Sequence, residues 1–248
     1  LARSHALWAL DSISAARKEI LAAAQDPEPI VRRQVLRQLN TRRIAKAVAT
    51  ALSALKDQDA SVRFQAATAL GRMGDPKAVP ALRDALDEPD LFARHAVFTA
   101  LNRIGTNTPS AWPLIVRGLE STNPRTREGT AFALRETYHP TLLAALTKLY
   151  RDTAKPADTR RAALELIAAQ HHQLPAWNGH WWAYHPALQP PPAKTVKWAG
   201  TESVLATLRA GLREPDADLR RASIDALAAV GDTNSAPALR DVFAHETE

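Results

Sequence analysis

The 248-residue chain carries 32 Lys and Arg against 26 Asp and Glu, a formal charge of +6 at pH 7, and 46% of it is apolar, the share of a folded protein. It has no cysteine, which excludes disulfides, zinc–thiolate and iron–sulfur centres, a thiol nucleophile and a CxxCH haem-attachment motif within these residues. No apolar run approaches the roughly 18 residues of a membrane helix, and the positive excess suits nucleic acid, an anionic surface or an acidic partner as well as it suits solubility.

The start, Leu1-Ala2-Arg3-Ser4, has neither an initiator Met nor a signal-peptide core, so the sequence reads as a segment of something longer. Ala and Leu dominate and only nine Gly occur, which favours helix throughout. One phrase then recurs along the chain: an acidic residue or Asn, often followed by Pro, then an Arg with apolar residues three and seven positions after it. A first, incomplete copy is Arg3 with Ala6 and Leu10. Asp26-Pro27 precedes Arg32, Val35 and Leu39; Asp57 precedes Arg63, Ala66 and Leu70; Glu88-Pro89 precedes Arg94, Val97 and Leu101. Asn123-Pro124 leads to Arg127 and Leu134, Pro156 and Asp158 to Arg160, Ala163 and Ile167, and Glu214-Pro215 to Arg220 and Leu227. The arginines are 29, 31, 31, 33, 33 and finally 60 residues apart, so a period near 31 holds until one interval nearly doubles.

Midway between arginines lies a second phrase, seen as Ala78-Val79-Pro80-Ala81-Leu82, Ala111-Trp112-Pro113-Leu114-Ile115 and Ser235-Ala236-Pro237-Ala238-Leu239. Proline is tolerated in the first turn of a helix, so this phrase opens an A helix. The Asp-Pro phrase opens a B helix, with the acidic residue capping its amides. Gly71, Gly74, Gly105 and Gly231 fall where B helices end and suit left-handed C-caps. In chain order the B helices are expected at 2–11, 29–39, 60–72, 91–103, 125–135, 157–170 and 217–229. A helices alternate with them at 14–24, 43–55, 77–86, 110–120, 140–152, 202–213 and 235–245. Each hairpin is too small to bury a core alone, so neighbours must stack. The expected fold is all-α: an α-solenoid of about seven helical hairpins over 1–248, with one Trp/His/Pro-rich insertion at 171–201.

Gly74-Asp75-Pro76-Lys77-Ala78-Val79-Pro80-Ala81-Leu82 and Asp59-Ala60-Ser61-Val62-Arg63 resemble the consensus of HEAT repeats, especially the short bacterial variety of phycobilin-lyase-like proteins. That resemblance covers nearly all of the chain outside the insertion and implies a fold, not a function. For Arg32, Arg63, Arg94, Arg127, Arg160 and Arg220 it leaves two roles. They form either a structural ladder of hydrogen bonds to acids such as Asp26, Asp57, Asp59 and Asp216, or a basic stripe for phosphates.

The insertion holds four of the six Trp and four of the eight His. Trp177, His180, Trp181, Trp182, Tyr184, His185 and Trp198 are therefore the candidate binding residues. Two other readings stand beside this one: a small satellite core of Trp177, Trp181, Trp182 and Trp198 on neighbouring helix ends, and a metal held by His171, His172, His180 and His185. The phrase Gly179-His180-Trp181-Trp182-Ala183-Tyr184-His185-Pro186, followed by Lys194-Thr195-Val196-Lys197-Trp198-Ala199-Gly200-Thr201, and with His5-Ala6-Leu7-Trp8-Ala9-Leu10 at the start, resembles the helical-repeat region of large secreted bacterial proteins. Those join a propeller-type dehydrogenase domain to a c-type cytochrome domain. The resemblance implies an extracytoplasmic scaffold linking domains of one polypeptide, with catalysis and haem outside this chain.

Enzyme readings find little footing. Deoxyhypusine hydroxylase places His-Glu pairs on several HEAT helices to hold two irons, whereas here the matching position reads Arg94-His95-Ala96 and the sole pair is His245-Glu246. Alkylpurine DNA glycosylases of HEAT-like fold use Trp, Arg and Asp on one face. The 24 Arg against 8 Lys keep DNA binding as the alternative. No nucleophile elbow or phosphate loop occurs, so no catalytic residue, metal ligand or cofactor is assigned. The expected partner is a protein or a neighbouring domain.

Overall fold

The computed structural model describes residues 2–13, 17–42, 47–176 and 194–245. Among them the regular elements are helices, joined by one isolated β-bridge between Gln173 and Val196. The chain forms two compact units, Leu1–Leu134 and Arg135–Glu248. The first contains α1 (Ala2–Ser12), α2 (Arg17–Ala22), α3 (Pro29–Arg42), α4 (Val48–Ala54), α5 (Ala60–Met73), α6 (Val79–Asp84), α7 (Leu91–Asn107), α8 (Trp112–Val116) and α9 (Pro124–Leu134). The second contains α10 (Pro140–Arg151), α11 (Ala157–Ala169), α12 (Thr201–Gly211), α13 (Ala217–Val230) and α14 (Ala236–His245).

Within the first unit the B helices stack in chain order, α3 on α5, α5 on α7 and α7 on α9, while α6 packs on α8. In the second, α10 packs on α11, α11 on α13 and α12 on α13. From Arg32 onward the seams are the positions three and seven residues after each repeat arginine; in α1 the buried residues are instead Ser4 and Leu7, with Ala6 exposed. Val35, Leu39, Ala66, Leu70, Val97, Leu101, Thr130, Leu134, Ala163, Ile167, Ser223 and Leu227 are all at most 2% exposed. Each helix thus buries one stripe against the next, and the fold is an α-solenoid of helical hairpins within each unit.

The A helices are shorter than the sequence suggests. In place of one helix at 77–86 the chain runs through a 3-10 turn (Pro76–Ala78), α6 and a second 3-10 turn (Ala85–Asp87). The 110–120 segment repeats the pattern around α8. Tightening to i→i+3 bonds, such as Glu88 N–H to the Ala85 carbonyl at 3.2 Å, delivers the chain into the extended entry of the next B helix in few residues. The helix expected at 14–24 is α2 plus a 3-10 turn, Ala23–Gln25, with residues 14–16 outside the described set; residues 43–46 of the 43–55 helix lie outside it too.

Gly74 and Gly231 end α5 and α13 with φ of 71° and 66°, the left-handed conformation that needs no Cβ. The expectation fails at Gly71 and Gly105, which lie inside α5 and α7. A Cβ at Gly71 would stand 2.7 Å from the Ala100 Cα, and one at Gly105 would enter the ring of fully buried Trp112. Close helix approach, not a C-cap, selects glycine there.

Candidate interaction surface

The acids of the Asp-Pro phrase do not cap the helices, as the sequence led us to expect; residues two positions later do. Asp59, Asp90 and Asp216 accept first-turn amides of α5, α7 and α13. This frees Asp26, Asp57 and Glu88 to take the arginine of the preceding repeat. Arg32 Nε and Nη2 donate to Asp57 at 2.7 Å each, and Arg63 Nε and Nη2 donate to Glu88 at 2.6 and 2.7 Å. The remaining Nη1 of each reaches back to its own helix entry: Arg32 to the carbonyls of Asp26 and Pro27, Arg63 to those of Asp57 and Gln58. Asp57 therefore holds one arginine by its side chain and the next by its backbone.

Arg32 holds Asp57, by hydrogen bond above all, well below the usual carboxylate range. Burial pushes Glu88 up, but Arg63 and the Asp90 amide outweigh it and leave Glu88 low. Arg3 meets Asp26 at the corresponding place, through a single bond from Nη1 at 2.7 Å, from a side chain 57% exposed. Across the insertion, Arg160 donates to Glu214 at 2.7 Å and to the Tyr150 carbonyl at 2.7 Å, while Arg220 Nη1 bonds the Glu214 and Pro215 carbonyls. Asp59 and Asp216, offered from sequence as ladder acids, serve as caps.

The ladder changes at Arg94. The position that holds Asp57 or Glu88 elsewhere is Ser121, whose carbonyl still accepts Arg127 Nη1 at 2.8 Å. Lacking a carboxylate there, Arg94 turns towards α9, to the Arg125 carbonyl at 3.3 Å and Glu128 at 3.6 Å, and its Nε is buried without a hydrogen-bond partner.

Of the candidate binding residues, Trp198 lies in the described set; Trp177, His180, Trp181, Trp182, Tyr184 and His185 lie outside the described residues. Trp198 closes the stem of the insertion. Its indole N–H donates to the Gln170 carbonyl and its ring meets Tyr138 edge-on at 5.9 Å. Thr201 Oγ1 donates to the His171 carbonyl at 2.7 Å, and Gln173 and Val196 exchange backbone hydrogen bonds at 2.9 and 2.8 Å. Of the four histidines of the metal reading, His171 and His172 stack at 3.9 Å, with burial and the neighbouring imidazole lowering the His171 pKa. His180 and His185 lie outside the described residues.

A surface that sequence reasoning missed lies on α3, α5 and α7. One residue past each ladder arginine the helix faces solvent, which exposes Arg33, Phe64 and His95. At the start of α7, Leu91 is 75% and Phe92 78% exposed. Between the three helices runs a groove of about 640 Å³, lined by Arg33, Arg37, Ser61, Phe64, Asp90 and Phe92 among others. Beyond it, Phe98 of α7 and Phe132 of α9 pair at 4.6 Å, with His95 edge-on to Phe98 at 5.5 Å. Charge is divided as unevenly: residues 1–134 hold 19 Lys and Arg against 13 Asp and Glu, residues 135–248 hold 13 of each, so the net +6 belongs to the first unit. The signal was available as aromatic residues on the polar side of an amphipathic helix.

Among the described residues no group of three or more His, Asp or Glu is placed to hold a metal, and no helix is long and apolar enough to cross a membrane.

Residues 17–102 match the family described as HEAT repeats, and residues 219–245 match the PBS lyase HEAT-like repeat. No curated protein sequence matches the chain. Similar solved structures include the complex of CpcE and CpcF of phycocyanin lyase from Nostoc sp. PCC7120, at 24% identity over 92% of this chain and 88% of that one, TM-score 0.41. The archaeal HEAT-like repeats protein from Thermococcus onnurineus NA1 is 16% identical over 89% and 90%, TM-score 0.41, and human deoxyhypusine hydroxylase 16% over 98% and 90%, TM-score 0.39. HEAT repeats are thus shown over residues 17–102 and a PBS lyase HEAT-like repeat over residues 219–245.

Proposed function

We propose that the chain is a non-catalytic interaction scaffold whose first unit presents the α3, α5 and α7 face to a protein partner. The observation that carries this is the position of Leu91 and Phe92. They are large apolar side chains, 75% and 78% exposed, at the start of a 17-residue helix whose remaining apolar residues, the half-buried Phe98 apart, are buried. Helix α7 is capped and packed on both sides, so these side chains have no internal reason to face water. Exposed apolar patches on rigid elements mark contact sites.

On the resemblance of the insertion and of the first helix, the scaffold belongs to a longer secreted polypeptide. It separates a propeller-type dehydrogenase domain from a c-type cytochrome domain, and the tryptophans and histidines of the insertion, Trp198 included, add to the contact surface. Cross-linking of the full-length polypeptide followed by mass spectrometry tests this. Links from Lys18, Lys56 or Lys77 to a flanking domain or to a second polypeptide are expected, and links confined to 1–248 contradict it. A second reading, a DNA-binding HEAT-like protein related to the alkylpurine DNA glycosylases, draws on the +6 of the first unit. It requires duplex DNA affinity that falls steeply with salt.

A further inference from the structure

We infer that the groove across α3, α5 and α7 docks an extended acidic segment whose apolar side chains seat against Phe64 and Phe92. This rests on the scaffold reading and gives its partner a chemistry. The two sides of the groove differ. Arg33 and Arg37 lie one turn apart on α3, while Phe64 projects from α5 and Phe92 from the entry of α7. Neighbouring helices in such a stack lie about 10 Å apart, so the groove spans about 20 Å, the reach of about six extended residues. Carboxylates at one end of that stretch meet the arginines, and a Phe, Leu or Trp at the other meets the exposed rings. The Phe98–Phe132 pair continues the apolar end.

Two carboxylates decide against a phosphodiester backbone. Asp59 and Asp90 both line the groove, each accepting first-turn amides of its helix. A nucleic acid strand brings a negative charge at every nucleotide and meets both acids. A peptide places its charges where the arginines are and neutral residues elsewhere. The +6 of the first unit, against zero in the second, adds a long-range attraction for an acidic partner that weakens with salt.

The test pans a display library of random 12-residue peptides against the purified full chain at low and at physiological salt. The enriched peptides, synthesised with a fluorescent label, are then titrated by anisotropy. Enrichment of peptides combining Asp or Glu with Phe, Leu or Trp is expected. Their affinity should fall about tenfold or more in Arg33→Glu/Arg37→Glu and, separately, in Phe64→Ala/Phe92→Ala, and change less than about twofold in Arg221→Glu of the second unit. Phe92→Ser alone, at a site 78% exposed, keeps the test decisive should a double variant fail to fold. Peptides that are neutral or basic, or that bind these variants as tightly as the parent, overturn the acidic-segment assignment while leaving an interaction scaffold in place. No enrichment overturns it as well, and with cross-links confined to 1–248 removes the scaffold reading too. A labelled 20-base-pair duplex that binds more tightly than any peptide and is lost in Arg33→Glu/Arg37→Glu assigns the groove to nucleic acid and overturns it.

Discussion

Replacing Glu88 with Gln keeps the shape of the side chain and removes its charge. The carboxylate is 7% exposed, receives two hydrogen bonds from Arg63 at 2.6 and 2.7 Å and a third from the Asp90 amide at 3.0 Å. An amide accepts one of the two Arg63 bonds and turns a donor towards the other, leaving a guanidinium that is 18% exposed without its counter-charge. Breaking a buried pair by altering one partner costs about 3–5 kcal/mol, and a hydrogen bond to a charged group contributes about 1.5–3 kcal/mol. With the residual exposure of Arg63, a loss of about 2–3 kcal/mol follows. The control is Asp26→Asn, which alters the corresponding contact where it is a single bond and Arg3 is 57% exposed. Its expected cost is about 0.5 kcal/mol. With about 2.1 cal/mol/K of unfolding entropy per residue, a unit of 134 residues loses about 7–10 °C in Tm for Glu88→Gln and about 2 °C for Asp26→Asn. Circular dichroism at 222 nm during thermal and urea unfolding measures both. Equal shifts in the two variants would refute the claim that the ladder stabilises through its buried rungs.

The carboxylates of Asp57, Asp59, Glu88 and Asp232 all titrate below their ordinary values in the folded chain. As pH falls the unfolded chain takes up these protons first, near pH 4, so their stabilisation is complete above about pH 5.5 and is lost below it. Tm should be flat from about pH 7 to 8, dip slightly towards pH 6 as the unfolded chain protonates His171 first, and fall steeply below about pH 5, less steeply in Glu88→Gln; a Tm that holds to about pH 3 contradicts the assignment. Ser121→Asp offers Arg94 the carboxylate its repeat lacks and should raise Tm by about 3 °C, about 1 kcal/mol, with Ser121→Ala neutral. Trp198→Ala removes the ring against Tyr138 and the bond to the Gln170 carbonyl, and should cost the second unit about 2–3 kcal/mol in urea unfolding. Trp198→Phe, which loses the bond alone, should cost about 1 kcal/mol.

The B helices were legible because an arginine and apolar residues recur at helical spacing, and from Arg32 onward those positions proved to be a seam; at the first copy Ala6 is exposed and Leu10 half-buried, and Leu7 is buried instead. The A helices were legible in place but not in form. Pro80 and Pro113 announce a helix start, while the 3-10 turns that flank α6 and α8 answer to the distance between stacked helices, which no local pattern encodes. The phrases Asp57-Gln58-Asp59 and Glu88-Pro89-Asp90 hold two acids with different tasks, and only geometry separates the ladder acid from the cap. Gly71 and Gly105 resembled helix ends because the partner that demands their smallness lies on another helix, Ala100 on α7 for Gly71 and Trp112 on α8 for Gly105, and local pattern does not show that approach. Phe64 and Phe92 escaped notice because apolar content in a helix reads by default as core. The HEAT-like consensus of residues 74–82 lies inside the matched 17–102 region.

Arg160 Nη2 finds Glu214 across 54 residues at the same 2.7 Å at which Arg32 Nη2 meets Asp57 across 25. The rungs register location in space and are indifferent to how much polypeptide runs between them. Gln173 and Val196, on either side of the insertion, are joined by a pair of backbone bonds, beside the side-chain bonds from Trp198 to Gln170 and Thr201 to His171. That pair draws the two ends of the intervening segment together, so the separation of the helices that Arg160 and Glu214 tie does not grow with its length.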